Sequence, residues 1–157
     1  MRKRIAAPVT TAEQEQGWLK LTDIATVEVA SEEASFPIEA VFTGDGAHGW
    51  RASAPGPQLI RILFDEPVSV SRIRLRFEER ELQRTQEFTL SWCPAAGGCK
   101  EIVRQQFNFS PGGATTELEE YSVNLEDVAV LELLIRPDIG RHDGIATLAS
   151  WRVGGPR

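Results

Sequence analysis

The sequence predicts an all-β fold, an antiparallel β-sandwich of the jelly-roll type with about eight strands. One observation is strict alternation over 71–77, where Ile73, Leu75 and Phe77 share one face and arginines occupy the positions between them. Period-2 alternation of this kind is typical of a half-buried strand. A second observation is that β-rich segments and turns rich in Pro, Gly, Asp and Glu follow each other at regular spacing from Gln58 onward. Because no long helical pattern interrupts them, they indicate a sandwich or a barrel.

The elements can be placed along the chain in order. Residues 1–15 are polar and aperiodic and are predicted to be a flexible leader, and 16–157 is predicted to be a single domain. The β-rich run 22–30 predicts the first strand, and Ile38–Phe42 predicts a short helical turn after Pro37. The later strands are predicted near 58–64, 71–77, 86–92, 100–108, 116–123, 129–136 and 145–153.

Composition limits the classes of partner. The net charge of −6 argues against nucleic acid, which is bound mainly by neutralising phosphates, and against docking on an anionic membrane. No run is long and apolar enough to span a membrane. After Met1 the apolar run within Ile5–Thr11 is too short for a signal-peptide core, so we expect a cytoplasmic protein.

The two cysteines, Cys93 and Cys99, bracket a short Pro/Gly-rich segment. In an oxidising compartment they could close a small hairpin disulfide, whereas thiols in the cytoplasm stay reduced. Since the sequence favours the cytoplasm, we expect two free thiols.

The segment 36–77 also carries a family resemblance. It reads FPIEAVFTGDGAHGWRASAPGPQLIRILFDEPVSVSRIRLRF: a helical turn, a Phe-x-Gly-Asp-Gly loop, Gly-Trp-Arg, Pro-Gly-Pro-Gln and an Ile-Arg-Leu strand. This order resembles the discoidin (coagulation factor type C) domains of the galactose-binding-like β-sandwich group, and Ala149–Val153 is similar to their closing strand. The resemblance covers about Gln16 to Val153. It implies a binding module, in a group whose ligands include sugars, lipid headgroups and proteins.

The connections are predicted to divide between two ends of the sandwich. If every connection reverses the chain, one end, called end A, holds the loops 44–57, 78–85, 109–115 and 137–144. The opposite end, end B, holds the loops 65–70, 93–99 and 124–128. End A contains both histidines and a mixture of arginines and carboxylates, which suit a polyhydroxyl ligand. We therefore predict ligand binding at end A.

The candidate ligand-binding residues are loop positions of end A with hydrogen-bonding side chains. An arginine presents a rigid fork of donors to paired acceptors, and a loop histidine can bond a hydroxyl or remain solvated. We expect the loops 78–85 and 137–144 to meet and to line one shallow site. The candidates are His48, Arg51, Arg80, Arg84, Asp138, Arg141 and His142.

A metal ion is not expected. Asp45 lies in a loop that, in the resembling modules, often holds a structural calcium ion together with a late carboxylate. Here Ser150 stands at the late position, so we expect weak Ca²⁺ binding or none, and Asp45 serves as a turn residue. A zinc site built from His48, His142 and Asp143 has no zinc-type spacing.

The arginines at 72, 74 and 76 form a stripe on one strand face. It could be a binding platform, but the expected arrangement is a solvated ladder paired with acids across the sheet. The available acids are Glu87, Glu117 and Glu119.

No enzyme is predicted, because the sequence lacks a Gly-x-Ser-x-Gly elbow, a phosphate loop, a metalloprotease helix and a dinucleotide fingerprint. The leading interpretation is a non-catalytic carbohydrate-binding module. That the ligand is a sugar is what the resemblance implies. The alternative is a protein-interaction scaffold, which the weak secretion signal favours, and a cryptic hydrolase ranks third. The expected partner is a sugar, another small polar ligand or a protein.

Overall fold

The computed structural model describes residues 17–43 and 49–156, and it confirms the all-β antiparallel fold. Two short helices are present in this part, α1 (Leu21–Ile24) and α2 (Glu39–Phe42), the second at the predicted helical turn. Neither is long or apolar enough to cross a membrane. The strands are β1 (Ala25–Val29), β2 (Trp50–Arg51), β3 (Gln58–Glu78), β4 (Arg84–Pro94), β5 (Lys100–Phe109), β6 (Thr116–Arg136), β7 (Thr147–Leu148) and β8 (Ser150–Gly154).

Strands β3 and β6 correct the sequence prediction. Each is one continuous strand of 21 residues, whereas two strands were predicted in each segment. They pair antiparallel along their whole length, with register shifts near Val68 and Val70. Asp127, in the facing part of β6, has a left-handed backbone with φ of 59°. Bulges of this kind bend a strand and increase its twist, so 65–70 and 124–128 are bends within a paired ribbon rather than turns between separate strands.

The bent ribbon contributes to both layers of the sandwich. The first layer has the order β1-β3-β6-β4-β5, and in the second layer β8 and β6 flank the C-terminal half of β3. Phe77 in the second layer stacks on Phe88 in the first, with ring centroids 5.2 Å apart. Both rings are buried, as are Ile60, Leu75 and Trp151, which places one core between the layers. Each such side chain contributes roughly 1.5–3 kcal/mol through burial.

A small separate sheet of two strands places Arg51 and Thr147 side by side at end A. Strand β2 pairs with β7, with Trp50 opposite Leu148 and Arg51 opposite Thr147. Trp50 is buried, as expected of a core tryptophan, and its indole N–H donates to the Ser31 carbonyl oxygen at 2.9 Å. A Cβ at Gly49 would lie 2.3 Å from the Leu148 carbonyl oxygen. Only glycine therefore allows the backbones to approach this closely, and Arg51 is held at the surface beside Thr147.

The cysteine prediction is wrong. Cys93 and Cys99 form a disulfide, and their Cα atoms are 4.1 Å apart. The physical reason is the β4–β5 hairpin, in which Trp92 pairs with Lys100 and thereby brings the flanking residues opposite each other. Disulfides are typical of proteins in oxidising compartments, and the cytoplasmic location stays a prediction.

The arginine stripe pairs differently from the prediction. Arg74 pairs with Glu120, at 3.5 Å, because Arg74 and Glu120 are opposite each other in the β3–β6 register. Glu117 and Glu119 stand opposite Phe77 and Leu75, on the other face of the same sheet. The stripe lies on the outer face of the sheet but is not a solvated ladder, because Arg72 is buried with its guanidinium 3.6 Å from the centroid of the Trp18 ring. Two of the three expected acidic partners point toward the core side.

Candidate functional site

The loops of end A come together because the β3–β6 ribbon folds over. The Ile139 amide donates to the Thr85 carbonyl oxygen at 2.9 Å, which joins the loop after β6 to the start of β4. The Glu79 amide donates to the Thr115 carbonyl oxygen at 2.9 Å, which joins the loop after β3 to the loop before β6. The loops 78–85 and 137–144 are therefore neighbours in space.

One recess at end A surrounds Arg51 and is called here the Arg51 cleft. It consists of two hollows of about 150 and 160 Å³ that share Arg51 and Thr147. The Arg51 side chain is exposed, and its guanidinium lies over the Phe36 ring, 4.7 Å from the centroid. The residues lining the cleft are Glu33, Phe36, Gly49, Trp50, Arg51, Glu78, Glu79, Glu81, Leu82, Ile145, Thr147, Leu148 and Ala149.

Hydrogen-bonding groups of both kinds converge in the Arg51 cleft. Among the described residues, no carboxylate lies within ion-pair distance of the Arg51 guanidinium, so its donors are available to a ligand. Glu78 is held by Arg76 and Glu79 by Arg84, which fixes these two carboxylates in place. Leu82 is 61% exposed and adds an apolar surface at one wall. Fixed acceptors beside an available guanidinium and an apolar surface suit the hydroxyls and the C–H face of a sugar.

Arg84 lies beneath this surface, which corrects the expectation of an exposed ligand-binding residue. It is only 4% exposed. Its guanidinium donates to Glu79 at 2.9 Å, to the Pro137 carbonyl oxygen at 2.8 Å and to Thr147 Oγ1 at 3.2 Å. A further bond reaches Gln86, and the group lies 4.7 Å from the ring centroid of Phe109. With its donors used inside the protein, Arg84 holds the loops of end A in position.

The polar cluster continues inward to Glu117. This residue is 1% exposed, and Gln86 Nε2 donates to its Oε1 at 3.2 Å. Its Oε2 has no hydrogen-bond partner. Burial, reinforced by the neighbouring Glu119, raises the pKa of Glu117 from 4.5 to about 8, although Gln86 and Arg84 oppose the shift.

A second recess at end A lies around Arg141 and is called the Arg141 hollow. Its volume is about 120 Å³, and it is lined by Gly56, Pro57, Arg136, Pro137, Asp138, Ile139, Arg141 and His142. Arg141 and His142 are exposed. Asp138 Oδ1 accepts from the Gly140 amide at 3.0 Å, which holds this carboxylate against its own loop. The structure thus brings the candidates Asp138, Arg141 and His142 together, apart from Arg51.

The remaining candidates have separate positions. Arg80 has a 77% exposed side chain and approaches Glu78 only at 4.0 Å. His48 and Asp45 lie outside the described residues. Within residues 17–43 and 49–156, the group with spacing suited to a metal is Cys93, Cys99 and Glu132, and both of its sulfur atoms are in the disulfide.

Several cleft residues were missed by the sequence reasoning. Glu33 and Phe36 come from the segment before α2, and Thr147 comes from β7. The β2–β7 pairing that brings Thr147 beside Arg51 spans almost a hundred residues of sequence, and each strand is only two residues long. Strands this short leave no periodic signal in the sequence.

The comparisons with known proteins bear on the fold. No protein-family model and no curated protein matches the chain. Among solved structures, the chain is similar to the family 32 carbohydrate-binding module of C. perfringens NanJ in complex with galactose, with 13% identity, 87% of this chain and 97% of that chain covered, and a TM-score of 0.66. The third such module of a C. perfringens family 31 glycoside hydrolase has 13% identity, coverage of 94% and 99%, and a TM-score of 0.65.

A further similar structure is the family 32 module of AlyQ in complex with 4,5-unsaturated mannuronic acid, with 16% identity, coverage of 83% and 95%, and a TM-score of 0.60. The chain has the galactose-binding-like β-sandwich fold of these modules. The fold expected from the discoidin resemblance is thereby confirmed. At identities this low the likeness concerns the fold, and the site must be argued from this chain's own residues.

Proposed function

We propose that this protein is a non-catalytic carbohydrate-binding module that binds sugar in the Arg51 cleft at end A. The observation that carries the proposal is the convergence of an available guanidinium, fixed carboxylates and an apolar wall at Arg51, Glu79 and Leu82. The arrangement offers a sugar both donors and acceptors, together with a surface for its C–H groups.

The similar structures support the same class of ligand. The NanJ module is in complex with galactose, the AlyQ module with 4,5-unsaturated mannuronic acid and a C. perfringens module with GalNAc-β-1,3-galactose. A shared fold alone does not imply a shared ligand. The complexes make a sugar the expected class of ligand, and the side chains of the Arg51 cleft are the features of this chain that support it.

The non-catalytic part of the proposal rests on the carboxylates of the cleft. Hydrolysis of a glycosidic bond needs a pair of carboxylates, one of them able to hand a proton to the leaving group. Glu78 and Glu79 are each held in an ion pair with an arginine, Arg76 and Arg84 respectively. Carboxylates fixed in this way suit hydrogen-bond acceptance from the hydroxyls of a ligand.

A glycan array followed by isothermal titration calorimetry tests the proposal. We expect wild-type protein to bind one or more soluble oligosaccharides, and Arg51→Ala to lose at least tenfold in affinity. Arg104→Ala is the matched control, because Arg104 is an exposed arginine on β5 outside the cleft. Wild-type affinity in the Arg51→Ala variant would show that sugar binds elsewhere. Absence of sugar binding by the wild type would overturn the function.

A further inference from the structure

The two recesses of end A differ in charge. The Arg51 cleft sets one guanidinium among the four carboxylates of residues 33, 78, 79 and 81. The Arg141 hollow has the opposite balance, since Arg136 and Arg141 face a single carboxylate, that of Asp138. In a chain with a net charge of −6, a cationic recess runs against the general trend of the protein.

The cations of the Arg141 hollow are weakly compensated. Within the described ranges, no carboxylate is within ion-pair distance of the Arg141 guanidinium. Arg136 is half exposed, and its Nε lies 3.8 Å from Glu87, which is longer than a hydrogen bond. Asp138 is turned to the Gly140 amide. The arginine forks are therefore available to one anionic group, which a guanidinium binds in bidentate fashion.

The two recesses lie along one pair of backbone segments. The Ala52 amide donates to the Ala146 carbonyl oxygen at 3.0 Å, and the Gly56 amide donates to the Gly144 carbonyl oxygen at 2.9 Å. Arg51 stands at one end of this pairing and Gly56, in the Arg141 hollow, at the other. Five residues of extended chain span at most about 17 Å. Arg51 and Gly56 are therefore no farther apart than an oligosaccharide of a few units can span.

We propose that the Arg141 hollow is an anion subsite, and that the ligand of end A is an acidic oligosaccharide. A neutral unit occupies the Arg51 cleft, and a carboxylate or sulfate group on another unit pairs with Arg141 and Arg136. This inference rests on the proposed function, because it assumes that sugar binds at the Arg51 cleft. The shared chemistry of the two groups is a compact oxyanion with paired acceptor oxygens, which matches the arginine fork.

Two pairs of ligands test the anion subsite by calorimetry. The first pair is oligogalacturonate and its methyl ester, which differ in the carboxylate charge. The second pair is a sulfated galactan oligosaccharide and its desulfated form. We expect wild-type protein to prefer the acidic member of one pair by at least tenfold, with the preference shrinking at high salt because ionic attraction is screened. The pair that shows the preference identifies the anionic group.

Variants separate this inference from the function on which it rests. Arg141→Ala should abolish the acidic preference while keeping the affinity for the neutral member, and Arg51→Ala should weaken both members. Arg104→Ala should behave as the wild type. If wild-type protein binds neutral and acidic members equally, or if Arg141→Ala keeps the preference, the anion subsite is wrong and the carbohydrate function stands. If wild-type protein binds neither member of either pair and no sugar on the array, both are wrong.

Discussion

The guanidinium of Arg84 donates a hydrogen bond to the Pro137 carbonyl oxygen at 2.8 Å, beneath the surface of end A. The same group bonds Glu79 in the loop after β3 and Thr147 in β7. One buried side chain thus connects three segments that meet at end A, two of which line the Arg51 cleft. The shape of the cleft therefore depends on a side chain buried beneath its surface.

Arg84→Ala is expected to destabilise the protein by about 3–5 kcal/mol, since it leaves the half-buried Glu79 carboxylate and the side-chain oxygen of the buried Gln86 without the hydrogen bonds that Arg84 donates. Urea unfolding measures the change. Arg80→Ala, in the same loop, has an exposed side chain and should change the free energy of unfolding by no more than about 0.5 kcal/mol. Equal effects of the two substitutions would contradict the buried role of Arg84.

Chelation of calcium is expected to leave the melting temperature nearly unchanged. Ser150 stands where the resembling modules carry a late carboxylate, so one charged ligand for the ion is missing. Ca²⁺ prefers six to eight oxygen ligands with several charges among them. The measurement is a thermal melt with a chelator and again after Ca²⁺ is restored. A bound ion at a hundred times its Kd would add about 2.7 kcal/mol, so a large reversible drop on chelation would refute this prediction.

Much of the fold could be predicted from the sequence because its signals are local. Alternation over 71–77 puts Ile73, Leu75 and Phe77 in the core, where they are fully buried. The continuity of β3 could not be predicted, because Asp65-Glu66-Pro67 carries turn chemistry and a bulged bend uses the same residue types as a turn. The loops of end A still meet, since a folded ribbon and a hairpin both bring the chain back to the same end.

The candidate site was predictable only in part. Arg51 and Arg141 are exposed, as their loop composition indicates, but Arg84 is buried, because it begins β4 and faces inward. Successive side chains of a strand point to opposite faces, so a shift of one residue in register moves every side chain to the other face. Whether Arg84 is buried or exposed therefore depends on a single residue of register. For the same reason, Glu117 and Glu119 were expected to pair with the outer arginine stripe.

Removal of the disulfide by the double substitution Cys93→Ala and Cys99→Ala is expected to lower the free energy of unfolding by about 2 kcal/mol, the loop-closure value for so short a loop. Urea unfolding of this variant is compared with that of wild-type protein, with and without a reductant. The reductant should destabilise the wild type and leave the variant unchanged. Because the disulfide lies outside both recesses of end A, binding of sugar should survive the substitution.

The buried carboxyl of Glu117 is expected to make the protein less stable as the pH rises. Its pKa is about 8 in the folded protein against 4.5 as the ordinary value, so between these limits the folded state binds a proton that the unfolded state has released. Stability falls with pH wherever the folded state binds more protons. One such group changes the free energy of unfolding by up to about 1.4 kcal/mol per pH unit.

Glu117→Gln tests this directly, because glutamine has the shape of the protonated acid and does not titrate. Below about pH 5 the two proteins should differ little, and their difference should grow in favour of Glu117→Gln up to about pH 8 and then level off. The measurement is the free energy of unfolding in urea at a series of pH values. The amide keeps a carbonyl oxygen that can accept the bond from Gln86, so the substitution removes the charge with little change in packing. A difference that stays constant from acid to alkaline pH would show that folding does not shift the pKa of Glu117.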